Sequence, residues 1–194
     1  MEKILKLRNG LEVTVRELQE DDVGRSLEFF GTLPAEDRAY LRVDVTDPLL
    51  VEQRIRAALA GGIVRLVALI DDQIVADGAL ELEGFGWKKH MAEIRLIVAR
   101  PYQRKGLGLL MARELFWIAN GKKIEEIMIE FMETQAGAAS IFKRLGFHED
   151  AVLHDYVQDM NGKKHDLIIM RCNLKELWEK LDHYMADSDW MRSR

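Results

Sequence analysis

The stretch from residue 91 to residue 120 constrains this chain more than any other part of it. Ala92, Ile94, Leu96 and Val98 recur at every second position, which predicts a strand over residues 91–98. Pro101, Gly106 and Gly108 then break the pattern. From Leu107 the period changes, and Leu107, Leu110, Met111, Leu115 and Ile118 fall on one helical stripe that runs to Asn120. Gly121 ends it. A half-buried strand that passes through a glycine turn into an amphipathic helix needs a sheet for the helix to lie on. The chain must therefore build a layered structure of strands and helices.

The rest of the sequence says which kind. Residues 11–16 alternate as a strand, and residues 21–41 read as one or two helices, with Pro34 opening the second. Asp47-Pro48 breaks the chain before a helix over residues 50–60, which Gly61-Gly62 stops. Residues 63–70 and 74–82 read as a hairpin about Asp71-Asp72-Gln73, residues 83–89 as a loop, and residues 124–132 as a further strand. Thr134 caps a helix reaching about Leu145, with Gly146 at its end. Two last strands, near 151–158 and 164–171, flank Asn161-Gly162, a strong hairpin signal. An antiparallel meander thus precedes a strand–helix–strand–helix–strand–strand run. The expected class is α/β (α+β), with a central mixed, mostly antiparallel sheet flanked by helices.

After residue 173 the pattern is helical again, with Leu174, Leu177, Trp178, Leu181, Tyr184 and Met185 on one stripe. One domain is expected over residues 1–173. Residues 174–194 either dock on its core or form an oligomer contact, such as a homodimer interface.

Composition removes several functions. A net charge of −5 argues against general nucleic-acid binding, which usually needs a basic face. No stretch approaches the roughly 20 apolar residues of a membrane-spanning helix, so no membrane partner is expected. The first residues lack an apolar signal core, and a single cysteine, Cys172, fits a reducing compartment; the expected location is cytoplasmic. His90, His148, His154, His165 and His183 show no paired ligand spacing with Cys172, so no metal site is expected. Cys172 itself reads as a small buried apolar residue.

Charge is distributed unevenly. Between Ile94 and Arg113 there is no acid, while Arg95, Arg100, Arg104, Lys105 and Arg113 all lie there. That run reads either as a local anion site or as a chance cluster on a solvated face. The adjoining turn favours anions on physical grounds, because the first N–H groups of a helix lack partners and carry partial positive charge. Glycines let such a backbone approach a phosphate closely. No Walker-type string occurs, and a dinucleotide fingerprint would need glycine where Met111 stands.

Gln103-Arg104-Lys105-Gly106-Leu107-Gly108 resembles the acyl-CoA-binding motif of the GNAT superfamily of N-acetyltransferases, Gln/Arg-x-x-Gly-x-Gly/Ala. A second segment, from Gln135-Ala136-Gly137-Ala138 to Phe142-Lys143-Arg144-Leu145-Gly146-Phe147, resembles that family's Asn-x-x-Ala-x-x-x-Tyr-x-x-x-Gly-Phe. The resemblance spans residues 11–173 and is sharpest over 92–171, where it is similar to ribosomal-protein alanine acetyltransferases. It implies acetyl-CoA (coenzyme A) as cofactor, with its pyrophosphate on the backbone amides of Arg104, Lys105, Gly106, Leu107 and Gly108. It also implies that the strand ending in Leu96, Ile97 and Val98 splays from the strand around Ile129 and takes the pantetheine arm. The Ile97 or Val98 N–H would then form an oxyanion hole. Gln103, Gln135 and Phe142 complete the expected cofactor contacts.

Acyl transfer to nitrogen needs a neutral amine, yet at pH 7 only about one lysine amine in 2,500 is neutral, against roughly a tenth for an α-amino group. A base or a desolvating pocket is therefore more necessary for a lysine-like acceptor. Glu130 interrupts the apolar run of its strand and lies twelve positions before Phe142, the spacing of the base in the ribosomal-protein enzymes. Its alternative is a carboxylate facing solvent. Glu93, on the adjoining strand, is the second candidate. Phe142 departs from the family's tyrosine and cannot protonate a leaving thiolate. Tyr156 matches a tyrosine that contacts the acceptor peptide there, or else packs at the sheet edge. These readings leave an acetyltransferase of a primary amine, on a protein N-terminus, a lysine or a small molecule. The alternative is an acyl-CoA-binding regulatory module without turnover.

Overall fold

The computed structural model describes residues 2–38, 41, 45–82, 84, 86–135, 139, 142–143, 145–159 and 161–178. Among them eight strands form one sheet: β1 (Glu2–Lys6), β2 (Glu12–Glu17), β3 (Ile63–Ile70), β4 (Gln73–Leu82), β5 (Met91–Val98), β6 (Glu126–Met132), β7 (His148–Gln158) and β8 (Lys164–Asn173). The spatial order is β1-β2-β3-β4-β5-β6-β8-β7. Every neighbouring pair is antiparallel except β5 and β6. It is accompanied by the helices α1 (Val23–Thr32), α2 (Ala35–Arg38), α3 (Pro48–Leu59) and α4 (Leu107–Gly121).

The two sheet faces carry separate cores. Leu107, Leu110, Met111, Leu115 and Phe116 of α4 are buried against Leu80, Ala92, Ile94, Ile127, Ile129 and Phe131. On the other face Phe29, Phe30, Val51 and Ile55 of α1 and α3 cover Val67, Leu69 and Ile74. Gly78 lets α4 lie close to the sheet, because a Cβ there would stand 3.1 Å from Leu115 Cδ1 and 3.3 Å from Leu96 Cδ1. Asp22 is fully buried at the start of α1 and receives both terminal nitrogens of Arg16, at 2.6 and 2.8 Å. This pair ties β2 to α1.

Several sequence expectations change. β1 lies outside the expected strands, since Glu2-Lys3-Ile4-Leu5-Lys6 pairs at the exposed edge and buries little. Asp47-Pro48 starts α3 instead of breaking the chain: the Asp47 side chain accepts the Leu49 N–H at 2.8 Å, and Pro48 occupies the first turn, where its missing donor costs nothing. β7 begins at His148, paired with Arg171 of β8, and β8 extends to Asn173, paired with Glu126 of β6, because pairing continues past the hydrophobic runs. Leu174 and Leu177 are buried in the α4-side core, so the tail docks on its own chain at least as far as these residues. Leu181, Tyr184 and Met185 lie outside the described residues, as do Ala136, Gly137 and Ala138 of the second motif.

Candidate active site

The site starts from a break in strand pairing. Met91, Ala92 and Glu93 of β5 face Glu126, Ile127 and Met128 of β6, and there the pairing stops. Both strands run on, β5 still paired to β4 as far as Val98 and β6 to β8 as far as Met132. A wedge-shaped gap therefore opens between their C-terminal halves. The Ala99 N–H donates to the Val75 carbonyl at 2.9 Å, on the β4 side. Backbone groups of a strand alternate in direction, so the Ile97 amide also turns to β4, while Leu96 and Val98 present theirs to the gap. The same alternation aims the His90 carbonyl at β6, where it accepts the Glu126 N–H at 3.1 Å. Of the two residues expected to offer an oxyanion donor, Ile97 and Val98, it is Val98 whose N–H faces the gap.

Two glutamines finish the gap at its mouth. Gln103 Nε2 donates to the Val98 carbonyl at 2.9 Å. Gln135 Oε1 accepts the Met132 N–H at 3.0 Å, and the Gln135 N–H donates to the Met132 carbonyl at 2.9 Å. Each glutamine thus occupies a backbone group that a neighbouring strand would otherwise have bonded. Nothing in the sequence signals these bonds, because the backbone groups they engage are freed only where β5 and β6 part.

Beyond β5 the chain makes a 3-10 turn (Arg100–Tyr102) and then coils through two left-handed residues, Arg104 at φ 59° and Gly106 at φ 90°, into α4. The first helical bond runs from the Leu110 N–H to the Gly106 carbonyl. Among the described residues, no hydrogen bond engages the amides of residues 104–109. They stand at the positive end of a 15-residue helix, with Arg104 exposed beside them and Lys105 over the Tyr102 ring at 5.6 Å. The Arg8 N–H donates to the Lys105 carbonyl at 3.4 Å, so the loop after β1 supports the turn. This donor set fits a pyrophosphate.

The carboxylates lie on the opposite face. Ile127, Ile129 and Phe131 point into the α4 core, so Glu130 projects from the other side of β6. By the same alternation Glu93, Arg95 and Ile97 project from that side of β5. Glu93 is engaged there: its Oε1 takes Arg95 Nε at 3.2 Å, while Arg95 Nη2 also reaches Glu81 Oε2 at 2.6 Å. Arg95 thus bridges Glu93 and Glu81 on this face.

Phe142 has a packing role. The Phe147 N–H donates to the Phe142 carbonyl and the Gly146 N–H to that of Lys143, with Gly146 at φ 98°. These bonds form a Schellman ending, and the Phe142 and Phe147 rings, 5.2 Å apart, supply its apolar contact. Tyr156 stands on the outermost strand, beside an irregularity between Leu153 and Val157, and is 66% exposed. It is not brought next to Glu130: β8 lies between their strands. Cys172 is buried, and no cluster of possible metal ligands occurs among the described residues. No helix among them is long and apolar enough to cross a membrane.

The family model described as Acetyltransferase (GNAT) family matches residues 30–147. No curated protein sequence matches the chain. Among solved structures, RimJ of Mycobacterium smegmatis in complex with CoA-disulfide is 16% identical, with a TM-score of 0.75 over 97% of this chain and 94% of its own. The ribosomal-protein-alanine N-acetyltransferase of Brucella melitensis is 21% identical, with a TM-score of 0.70 over 82% of this chain and 98% of its own. YncA of Salmonella typhimurium, a putative acetyltransferase with its cofactor acetyl-CoA, is 19% identical, with a TM-score of 0.71 over 84% and 94%.

Proposed function

The chain belongs to the acetyltransferase (GNAT) family, and from that premise we propose that it acetylates a primary amine on a protein, an N-terminus or a lysine, with Glu130 as general base. It uses acetyl-CoA, whose thioester supplies the activated acetyl group. The observation that carries the assignment of roles is the gap between β5 and β6, which passes through the sheet between two different surfaces. The turn of residues 103–108 leads into α4, whose side of the sheet receives the pyrophosphate. Glu130 lies on the face toward α1 and α3, from which the amine approaches.

The amides of residues 104–108 hold the pyrophosphate, and the gap-facing edge of Leu96 and Val98 aligns the pantetheine arm. The Val98 N–H meets the negative charge that develops on the acyl oxygen, a contact that tightens only as the carbonyl is attacked. Glu130 takes the proton from the amine, directly or through one water. Phe142 offers no hydroxyl, so the departing thiolate, with an ordinary pKa of about 8.5, takes its proton from water. The names of two solved neighbours, ribosomal-protein-alanine N-acetyltransferases from Brucella melitensis and Escherichia coli, support a protein acceptor. Tyr156 would meet the flanking peptide from the outer strand.

A thiol-release assay with acetyl-CoA tests this reading against three acceptor sets: peptides with free N-termini, peptides with one lysine and a blocked N-terminus, and small polyamines and aminoglycosides. Turnover with either peptide set and not with the small amines is expected. Turnover confined to the small amines overturns the protein acceptor.

A further inference from the structure

On β8, across β6 from the gap, lies a histidine that the reaction does not touch. His165 of β8 is 7% exposed and sits between two carboxylates: Nδ1 is 3.0 Å from Glu133 Oε1, and Nε2 is 3.2 Å from Asp159 Oδ2. An ionised carboxylate only accepts hydrogen bonds, and a neutral imidazole has a single N–H. Both contacts are satisfied together only by the imidazolium.

Each carboxylate belongs to a different piece of the fold. Asp159 organises the β7–β8 turn, where its Oδ1 accepts the Asn161 and Lys163 N–H groups, both at 2.9 Å. Glu133 follows β6 directly, and its N–H donates to the Asp166 carbonyl at 3.1 Å. Two residues further on is Gln135, which closes the Met132 backbone at the mouth of the gap. His165 therefore fastens the hairpin to the turn that ends the β6 wall.

We propose that His165 is a positioning residue for acetyl transfer: as an imidazolium it bridges Glu133 and Asp159, and so fixes the Glu133–Gln135 turn and the width of the gap that receives the pantetheine arm. The inference rests on the acetyl-CoA site argued above. It makes cofactor affinity depend on the charge of a residue that never meets the cofactor. Donating to Glu133, and then to Asp159, raises the imidazole above its ordinary range, against a smaller opposing effect of burial. The other charged groups around it are Asp166, which takes His154 Nδ1 at 2.8 Å and the Asp155 N–H at 3.0 Å, and the flanking Lys163 and Lys164 of the hairpin. A raised folded-state pKa means that the bridge is intact below the unfolded value of about 6.5 and is lost as pH rises through the folded value.

Three measurements over pH 5.5–9 test this: the His165 ring titration by NMR, the Kd for CoA by calorimetry, and the thermal midpoint. They are made on wild type, His165→Gln and Glu133→Gln. In wild type, CoA binding weakens about five- to 150-fold, the usual span of such couplings, across the His165 titration. His165→Gln binds weakly at every pH and loses that step. Glu133→Gln, a change at a partly exposed side chain, keeps the step and moves it to lower pH. An identical Kd profile in wild type and Glu133→Gln overturns the proposal, even where His165→Gln fails to fold. Absence of CoA binding in wild type at every pH would instead overturn the acetyl-CoA site itself.

Discussion

Gly106 and Gly108 occupy equivalent places in the motif and have different physical reasons for being glycine. Gly106 caps α4 at φ 90°, ψ −5°, in the left-handed region. A Cβ there crowds the following carbonyl and costs roughly 1–2 kcal/mol. At about 2–4 °C per kcal/mol for a domain of this size, Gly106→Ala should lower the thermal midpoint by about 2–8 °C. If the turn relaxes instead, its amides no longer aim together. The loss of one or two hydrogen bonds to a charged phosphate, about 1.5–3 kcal/mol each, then weakens CoA binding tenfold or more. Gly108 is helical, and a Cβ would meet Val98 Cγ2 at 3.7 Å and Leu96 Cδ2 at 3.8 Å, ordinary contact distances. Gly108→Ala should leave the midpoint without CoA unchanged or slightly raised, since alanine favours helix by up to about 1 kcal/mol. Differential scanning calorimetry of both variants, with and without CoA, separates the two effects. A Gly106→Ala protein matching wild type in both states would refute the strain argument. So would a Gly108→Ala protein that loses as much stability as Gly106→Ala.

Other consequences can be measured directly. Glu130→Gln should lower kcat by about 10²- to 10⁴-fold, the usual weight of a general base, with the Kd for CoA unchanged; stopped-flow thiol release reads it, and an unchanged kcat removes Glu130 as base. Gly78→Ala pushes a methyl group to 3.1 Å from Leu115 Cδ1, and the overpacking should cost about 1–3 kcal/mol in a urea titration. Asp22→Ala leaves Arg16 half-satisfied beside a buried site and should cost about 3–5 kcal/mol. In wild type, burial raises the Asp22 carboxyl, but the Arg16 hydrogen bond, the Gln19 N–H and the nearby guanidinium charges outweigh it and hold it below its ordinary range. The stability it contributes is present above the unfolded pKa of about 3.9 and is lost as pH falls through the lower folded value. Acid unfolding in Asp22→Ala should be shallower below pH 4.

The sequence alone determined the parts whose cause is local. The period change across Gly106 predicted β5 and α4, and Gly146 marked a real helix ending, because left-handed geometry and helical stripes are properties of a few consecutive residues. Asp47-Pro48 was legible in principle, since a side-chain cap followed by proline starts a helix, yet the pair read as a break. Charge pattern and glycine spacing likewise picked out the turn of residues 103–108, which enters α4 through left-handed Arg104 and Gly106.

What lay beyond the sequence was every relation set by a distant partner. That Arg95 reaches Glu81 as well as its near neighbour Glu93 follows from the pairing of β4 with β5. That Val98 faces the gap and Ile97 does not is a matter of register, where one step reverses every backbone group. Gln103, Gln135 and His165 found their partners only once β5 and β6 had parted and the last hairpin had folded beside them. Local periodicity fixes which way a side chain can point, and the assembled sheet decides what it meets there.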